Sequence, residues 1–282
     1  MNDTAIRTID VRHLGREGVI CSLLVGDVLI DCGPGSGVET LLESLAGVRP
    51  RVLALTHIHL DHAGAAGALV ERFPELEVWV HERGAPHMID PSKLLASAER
   101  LYGADMERLW GEFLPVPEAN VRALAGGERI GGFEVAYTPG HASHHVCYRH
   151  QASGTAFTGD VTGVRATAED YVLAPTPPPD IDVERWLESI ARVRAWRPSA
   201  LGLTHFGVFA DVEAHLEAIE RSLRRSAERA RELGAEEFAA ATRAEIEAAV
   251  PGRDASFYTV AAPLEHDYMG LARYWSRREG AA

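Results

Sequence analysis

The run Thr56-His57-Ile58-His59-Leu60-Asp61-His62 places imidazole or carboxylate at four of seven consecutive positions. It follows directly on the apolar stretch RVLALT (51–56), where a strand ends and hydrophobic burial no longer selects the side chains. Residues two apart in extended backbone share one face, so His57 and His59 can converge on one cation. Asp61 and His62 turn towards a neighbouring position as a helix begins. One loop can in this way serve two metal ions. Further along, TPGHASHH (138–145), FTGD (157–160) and LTHFG (203–207) each set His or Asp close to a glycine. Organic nucleophile motifs are missing. There is no GxSxG elbow, and GPGSG at 33–37 lacks the lysine of a phosphate loop and the spacing of a dinucleotide fingerprint, which leaves a tight turn.

Taken in order, THIHLDHAG (56–64), TPGHASHH, FTGD and LTHFG resemble the HxHxDH signature and later landmarks of the metallo-β-lactamase superfamily, over about residues 1–210. The resemblance implies an α/β fold, a four-layer αββα sandwich. It also implies a ligand set: His57, His59 and His141 for a first metal, Asp61, His62 and His205 for a second, and Asp160 bridging the two. All seven positions are filled. The bridging aspartate belongs to the glyoxalase II, lactonase and ribonuclease Z branches and is generally missing from the secreted β-lactamases, so antibiotic hydrolysis is not expected. A carboxylate between cations about 3.5–4 Å apart screens their repulsion and tolerates harder ions, so the expected cofactors are two divalent metals, zinc foremost, with iron or manganese compatible. Such metals lower the pKa of a shared water and present hydroxide to a carbonyl or phosphorus centre, with Asp61 orienting the nucleophile or accepting its proton. The leading expectation is a hydrolase of a small ester, thioester or lactone. Alternatives are a phosphodiesterase of the same fold, a single-iron dioxygenase like the persulfide dioxygenase branch, and a non-catalytic ligand sensor. His144 and His145 depart from the family pattern, which usually has small residues there, and are open between facing the pocket and ordinary hydrogen-bonded histidines. His13, His81, His87, His150, His215 and His266 match no ligand position.

The elements that must position these residues alternate in the manner of layered α/β structure. Strands are expected at Ile6 to Val11, Val19 to Val25, Val28 to Ile30, 51 to 56, Glu77 to Val80, 128 to 137, 145 to 149, 155 to 158 and Ala200 to Leu203. Helices are expected at Val38 to Leu45, Ala63 to Phe73 and Val183 to Trp196. A helical insertion, about 82–119, carries SKLLASAERLYGADMERLW and is open between a lid and a solvated surface pair. PTPPP (175–179) reads as a linker. The expected division is a metal-binding domain over 1–210 and a C-terminal helical region over 211–282, broken near Gly234 and again at Pro251-Gly252.

With 41 acidic against 28 basic residues the formal charge is −13, which repels phosphate backbones and anionic membranes unless a local basic patch intervenes. Neither nucleic acid nor a membrane is an expected partner; a small-molecule substrate is, and a homodimer stays open. All the basic residues but Lys93 are arginine, which reads as coding bias. The N-terminus carries Asp3, Arg7, Asp10 and Arg12 with no apolar signal run. Cys21, Cys32 and Cys147 sit among apolar or small residues, as core side chains in a reducing compartment do, and the cytoplasm is the expected location.

Overall fold

A computed structural model describes residues 4–166, 170–251 and 255–280; Asp3 and Gly252, named above, lie outside them. Two six-stranded sheets stack face to face. The first runs in chain order, β1 (Ile6–Asp10), β2 (Cys21–Val25), β3 (Val28–Ile30), β4 (Val52–Ala54), β5 (Glu77–His81) and β6 (Val121–Leu124), antiparallel through β3 and parallel from there. The second comprises β7 (Arg129–Ile130), β8 (Phe133–Tyr137), β9 (Val146–His150), β10 (Thr155–Phe157), β11 (Ala200–Leu203) and β12 (Gly207–Phe209), in that spatial order reversed, with only β10 and β11 parallel.

The two-residue period of each strand sorts its side chains between cores. Cys21, Leu23 and Val25 of β2 and Val146 and Tyr148 of β9 meet between the sheets, together with Trp79, Phe133 and Phe157. Leu24 faces outward into a second core under the helices α1 (Val38–Leu45) and α3 (Ala66–Arg72), which contribute Leu41, Leu45, Leu69 and Val70; the single turn α2 (Leu60–Ala63) precedes α3. The insertion forms α4 (Ala85–Ile89), α5 (Ser92–Tyr102) and α6 (Met106–Trp110), and packs Ala85, Met88 and Ala98 into that same core.

Cys147 faces outward on the other side, into a core closed by Trp186, Ile190 and Val193 of α7 (Val183–Ala195) and by Leu216, Ile219 and Leu223 of α8 (Val212–Glu232). The layers are therefore helix, sheet, sheet, helix. Beyond them α9 (Ala235–Ala249), α10 (Ser256–Ala261) and α11 (Leu264–Glu279) fold back over the molecule. Phe238, Leu271 and Tyr274 join the α7–α8 core, and Ile246, Tyr258 and Leu264 enclose Val164 and Leu173. Trp275 is half-buried and donates from Nε1 to Ala227 O at 2.8 Å, while Tyr274 Oη donates to Glu184 of α7 at 2.8 Å. The C-terminal helices thus pack on the main body. Two short strands escape the sequence patterns: β6, whose Arg122 and Ala123 are exposed on one edge, and the three-residue β12. Cys21, Cys32 and Cys147 are buried free thiols. Among the described residues no helix is long and apolar enough to cross a membrane.

Candidate metal centre

The candidate ligands lie where strands of both sheets end on one side of the sandwich. His57, His59, Asp61 and His62 follow β4, His141 precedes β9, Asp160 follows β10 and His205 follows β11. Backbone hydrogen bonds clamp the two sheets there, Cys21 N to Thr204 O and Val146 N to Thr56 O, both 2.8 Å. The motif glycines have a steric cause. A Cβ on Gly140 would stand 2.3 Å from the backbone of Trp186, and one on Gly159 would stand 2.5 Å from Thr56 Oγ1; both residues hold positive φ.

All seven expected donors are brought together. His57 Nε2 and His141 Nε2 each lie 3.0 Å from His59 Nδ1, while His205 Nε2 and His62 Nε2 lie 3.3 and 3.7 Å from Asp61 Oδ2. Asp160 stands between the two groups: its Oδ2 is 3.4 Å from His141 Nε2, and its Oδ1 is 3.2 Å from His62 Nε2 and 3.7 Å from His205 Nε2. Donors about 2.0–2.1 Å from one tetrahedral ion lie roughly 3.3 Å from each other, which is the spacing seen in both groups. His62 Nε2 and Asp160 Oδ1 are fully buried without a hydrogen-bond partner, a costly arrangement that a cation between them relieves.

The ring nitrogens facing away from the centre are occupied, which fixes the tautomers. Nδ1 of His141 donates to Pro175 O at 2.9 Å, Nδ1 of His205 to Val19 O at 2.7 Å, and Nδ1 of His62 to Asp31 Oδ2 at 2.8 Å. Thr56 Oγ1 gives its proton to Asp31 and accepts from His57 Nδ1 at 3.1 Å. Every one of these imidazoles therefore turns its other ring nitrogen inward. Burial, reinforced by the other imidazoles, holds His57 well below the ordinary histidine range; burial likewise holds His141 down to about 4. At His62 and His205 burial works the same way, but the nearby carboxylates outweigh it and raise both: Asp160, Asp61 and Asp31 at His62, Asp160 and Asp61 at His205. One half of the centre is thus neutral and rich in lone pairs, and the other has a field that attracts positive charge.

A model of the metallo-beta-lactamase superfamily matches residues 15–241. The chain belongs to this superfamily. The metallo-beta-lactamase fold-containing protein of Sulfurisphaera tokodaii is 29% identical over 67% of this chain and 72% of its own. The solved structure of an archaeal superfamily protein from Sulfolobus tokodaii superposes with a TM-score of 0.64 at 25% identity, over 79% of this chain and 86% of that one. Two relatives named as enzymes are each 30% identical: an atrochrysone carboxyl ACP thioesterase of Aspergillus fumigatus, over 60% of this chain and 43% of its own, and the hydroxyacylglutathione hydrolase GloC of Haemophilus influenzae, over 50% and 65%. This metallo-beta-lactamase-fold chain spans less than two thirds of both. Superfamily membership, with histidine and aspartate groups placed to hold metal, makes it a metal-dependent hydrolase.

Above the donors opens a cavity of about 350 Å³, floored by His59, Asp61 and Asp160. The insertion does form one of its walls, through Leu94, Ala98, Leu101, Tyr102 and Trp110, and the start of α11 forms another. The proline run at 175–179 is no linker. Pro175 O orients His141, and Pro177, Pro178 and Pro179 line the cavity. His144 lines it as well, whereas His145 is buried behind the centre with its ring stacked on His57 at 5.0 Å and its Nδ1 2.9 Å from Thr138 Oγ1. His87 and His266, which match no motif, also reach the wall, and His13 is instead buried and stacked on Trp110 at 5.5 Å.

The residue that sequence reasoning passed over is Asp31. It is fully buried at the end of β3 with φ near 50° and accepts from Thr56 N (2.7 Å), Thr56 Oγ1 (2.8 Å), Thr204 Oγ1 (2.6 Å) and His62 Nδ1 (2.8 Å). A carboxylate directly after the apolar run Val28-Leu29-Ile30 was the available signal.

Proposed function

We propose that this hydrolase cleaves a small acyl substrate, foremost a thioester, with esters and lactones in the same class, at a centre of two divalent metal ions, zinc foremost. The observation that carries the reading is Asp160, whose two oxygens face two separate donor groups at the base of a small, largely apolar cavity. His57, His59 and His141 would hold one ion and Asp61, His62 and His205 the other, with Asp160 shared. The ions when bound supply an activated water and stabilise the negative charge that develops on the carbonyl oxygen.

The rest is the work of the chain. Asp61 is half-buried at the cavity floor and turns Oδ2 towards His205 and His62. Its second oxygen is the group we assign to orient the nucleophile and take its proton. Asp31, Pro175 O and Val19 O hold the imidazoles in register, so little reorganisation accompanies reaction. The aliphatic and aromatic walls exclude water around the acyl group. The two enzymes named above act, by their names, on an acyl carrier protein conjugate and on an acylglutathione, and both support the thioester choice.

The test is a panel of small thioesters, esters and lactones set against bis(p-nitrophenyl) phosphate, with elemental analysis of protein purified without chelator. We expect close to two metals per chain, thioesters turned over fastest, and loss of activity in His59→Ala and on chelation. Preference for the phosphodiester would move the chain to the ribonuclease-like chemistry. One iron per chain with oxygen consumption would make it a dioxygenase, and two metals with no turnover would make it a sensor.

A further inference from the structure

The cavity is not apolar throughout. Beside the apolar side chains of Leu94, Leu101, Tyr102 and Trp110, its lining includes Arg83, just before α4, and Lys93, next to Leu94 in α5 and the single lysine of a chain with a formal charge of −13. Many cations on this surface are held by carboxylates, as Arg149 is by Glu134 and Arg194 by Glu220. Among the described residues no ion pair claims Arg83 or Lys93. The Arg83 guanidinium instead lies over the Tyr137 ring, 5.7 Å from its centroid; that ring is stacked on His81 at 4.4 Å and tied by its hydroxyl to Ser143 O at 3.0 Å. A guanidinium seated on an aromatic face keeps its donors free.

Lys93 is placed against local preference. It sits in the first turn of α5, which has no acidic residue there, so its charge adds to the positive end of the helix dipole where structure alone would favour a carboxylate. The carboxylates nearby have other partners, Asp90, close to Lys93, accepting from Ser92 N at 3.1 Å. Asp61 and Asp160 belong to the metal centre, Asp180 accepts from Ser143 N and Oγ, and burial pushes Asp267 up to about 8. Two cations with no ion pair among the described residues, one of them in the first turn of α5, therefore line the same cavity as its apolar wall.

We propose that Arg83 and Lys93 form an anion-binding subsite, and that the substrate carries a carboxylate or phosphate held there while its apolar part lies along the α5–α6 wall. This rests on the hydrolase reading and specifies it: the thiol carrier of the thioester is anionic. A local basic patch is what lets an acidic chain accept a small anion while still repelling polyanions.

The test compares three thioesters of one acyl group: hexanoyl-N-acetylcysteamine, which is neutral, S-hexanoylglutathione, which offers carboxylates, and hexanoyl-4′-phosphopantetheine, which offers a phosphate. We expect KM for at least one anionic carrier to be about tenfold below that of the neutral one at low salt, as two partly exposed ion pairs would give, and the better carrier identifies the anion. In Arg83→Gln/Lys93→Gln that ratio should fall to near one, and added salt should shrink it in the wild type. Equal KM values across the three carriers, or a ratio that survives the double substitution, would overturn the subsite. Failure of the hydrolase reading shows separately, as absence of turnover on all three. The subsite is then judged by equilibrium binding of the unreactive thioethers S-hexylglutathione, S-hexyl-4′-phosphopantetheine and S-hexyl-N-acetylcysteamine, with the same two outcomes.

Discussion

At the scale of single residues, Asp160 and Asp31 do different electrostatic work. Asp160 presents one oxygen to each donor group. On the two-metal reading its replacement by alanine removes the charge that would separate the cations, so Asp160→Ala should retain about one metal per chain, held at His57, His59 and His141, and should lose activity while keeping its circular dichroism. Retention of two metals would refute the bridging role. Asp31 touches no substrate-facing atom; it accepts four hydrogen bonds and holds His62. Asp31→Asn puts an amide NH2 against donors, which should weaken the metal on the His62 side by about 10–100-fold and destabilise the fold by roughly 1–3 kcal/mol. Metal titration and denaturant melts measure the two effects, and an unchanged metal affinity would mean that Asp31 is only a packing group.

Among the elements, α11 has a task that its amphipathic pattern does not announce. Asp267 in its first turn accepts from Thr176 N at 2.6 Å, and Thr176 Oγ1 donates back to Asp267 O at 3.1 Å. Thr176 neighbours Pro175, whose carbonyl orients His141, so the last helix braces a loop that positions a candidate ligand. Asp267→Ala leaves the Thr176 amide buried without its acceptor and should cost about 1–3 kcal/mol. Asp267→Asn keeps the acceptor and loses the titration. Burial raises the folded-state carboxyl to about 8 against about 4 when unfolded, so between these values the folded chain holds a proton that the unfolded chain has released. This contribution is complete below pH about 4 and is lost as pH rises through about 8. From pH 6 to 8.5 the wild type should therefore lose more stability than Asp267→Asn in denaturant melts. Parallel decline of the two would show that Asp267 is ionised throughout.

For the whole molecule, the centre is a junction between sheets. The candidate donors come from the ends of β4, β10 and β11 and from the turn before β9, so an ion bound there would add to the apolar contacts and to the backbone and side-chain hydrogen bonds, such as Thr204 Oγ1 to Asp31, that join the two layers. Ligands that bind only the folded state stabilise it by mass action, about 4 kcal/mol at a thousandfold excess over Kd, which for a chain of this size is a Tm shift on the order of 10 °C. Chelated protein should melt lower by about that amount and recover on adding zinc. An identical Tm with and without metal would mean that the donors are held in place by the protein alone.

The sequence by itself determined the candidate ligand set and most of the elements that carry it. His57, His59, Asp61, His62, His141, Asp160 and His205 stand in local motifs whose composition has no core-packing explanation, and strands such as Val28–Ile30 and helices such as Val38–Leu45 announce themselves by periodicities that act over a few residues. What only the tertiary structure decided are relations between distant segments. Asp31 meets Thr204 across 173 positions, Thr176 meets Asp267 across 91, and Arg83 and Lys93 line the same cavity as the candidate donors from an insertion with no motif of its own. No local pattern encodes such pairings. They exist because burial of the sheet and helix faces brings those segments to the same end of the sandwich, and there the buried polar groups must find one another.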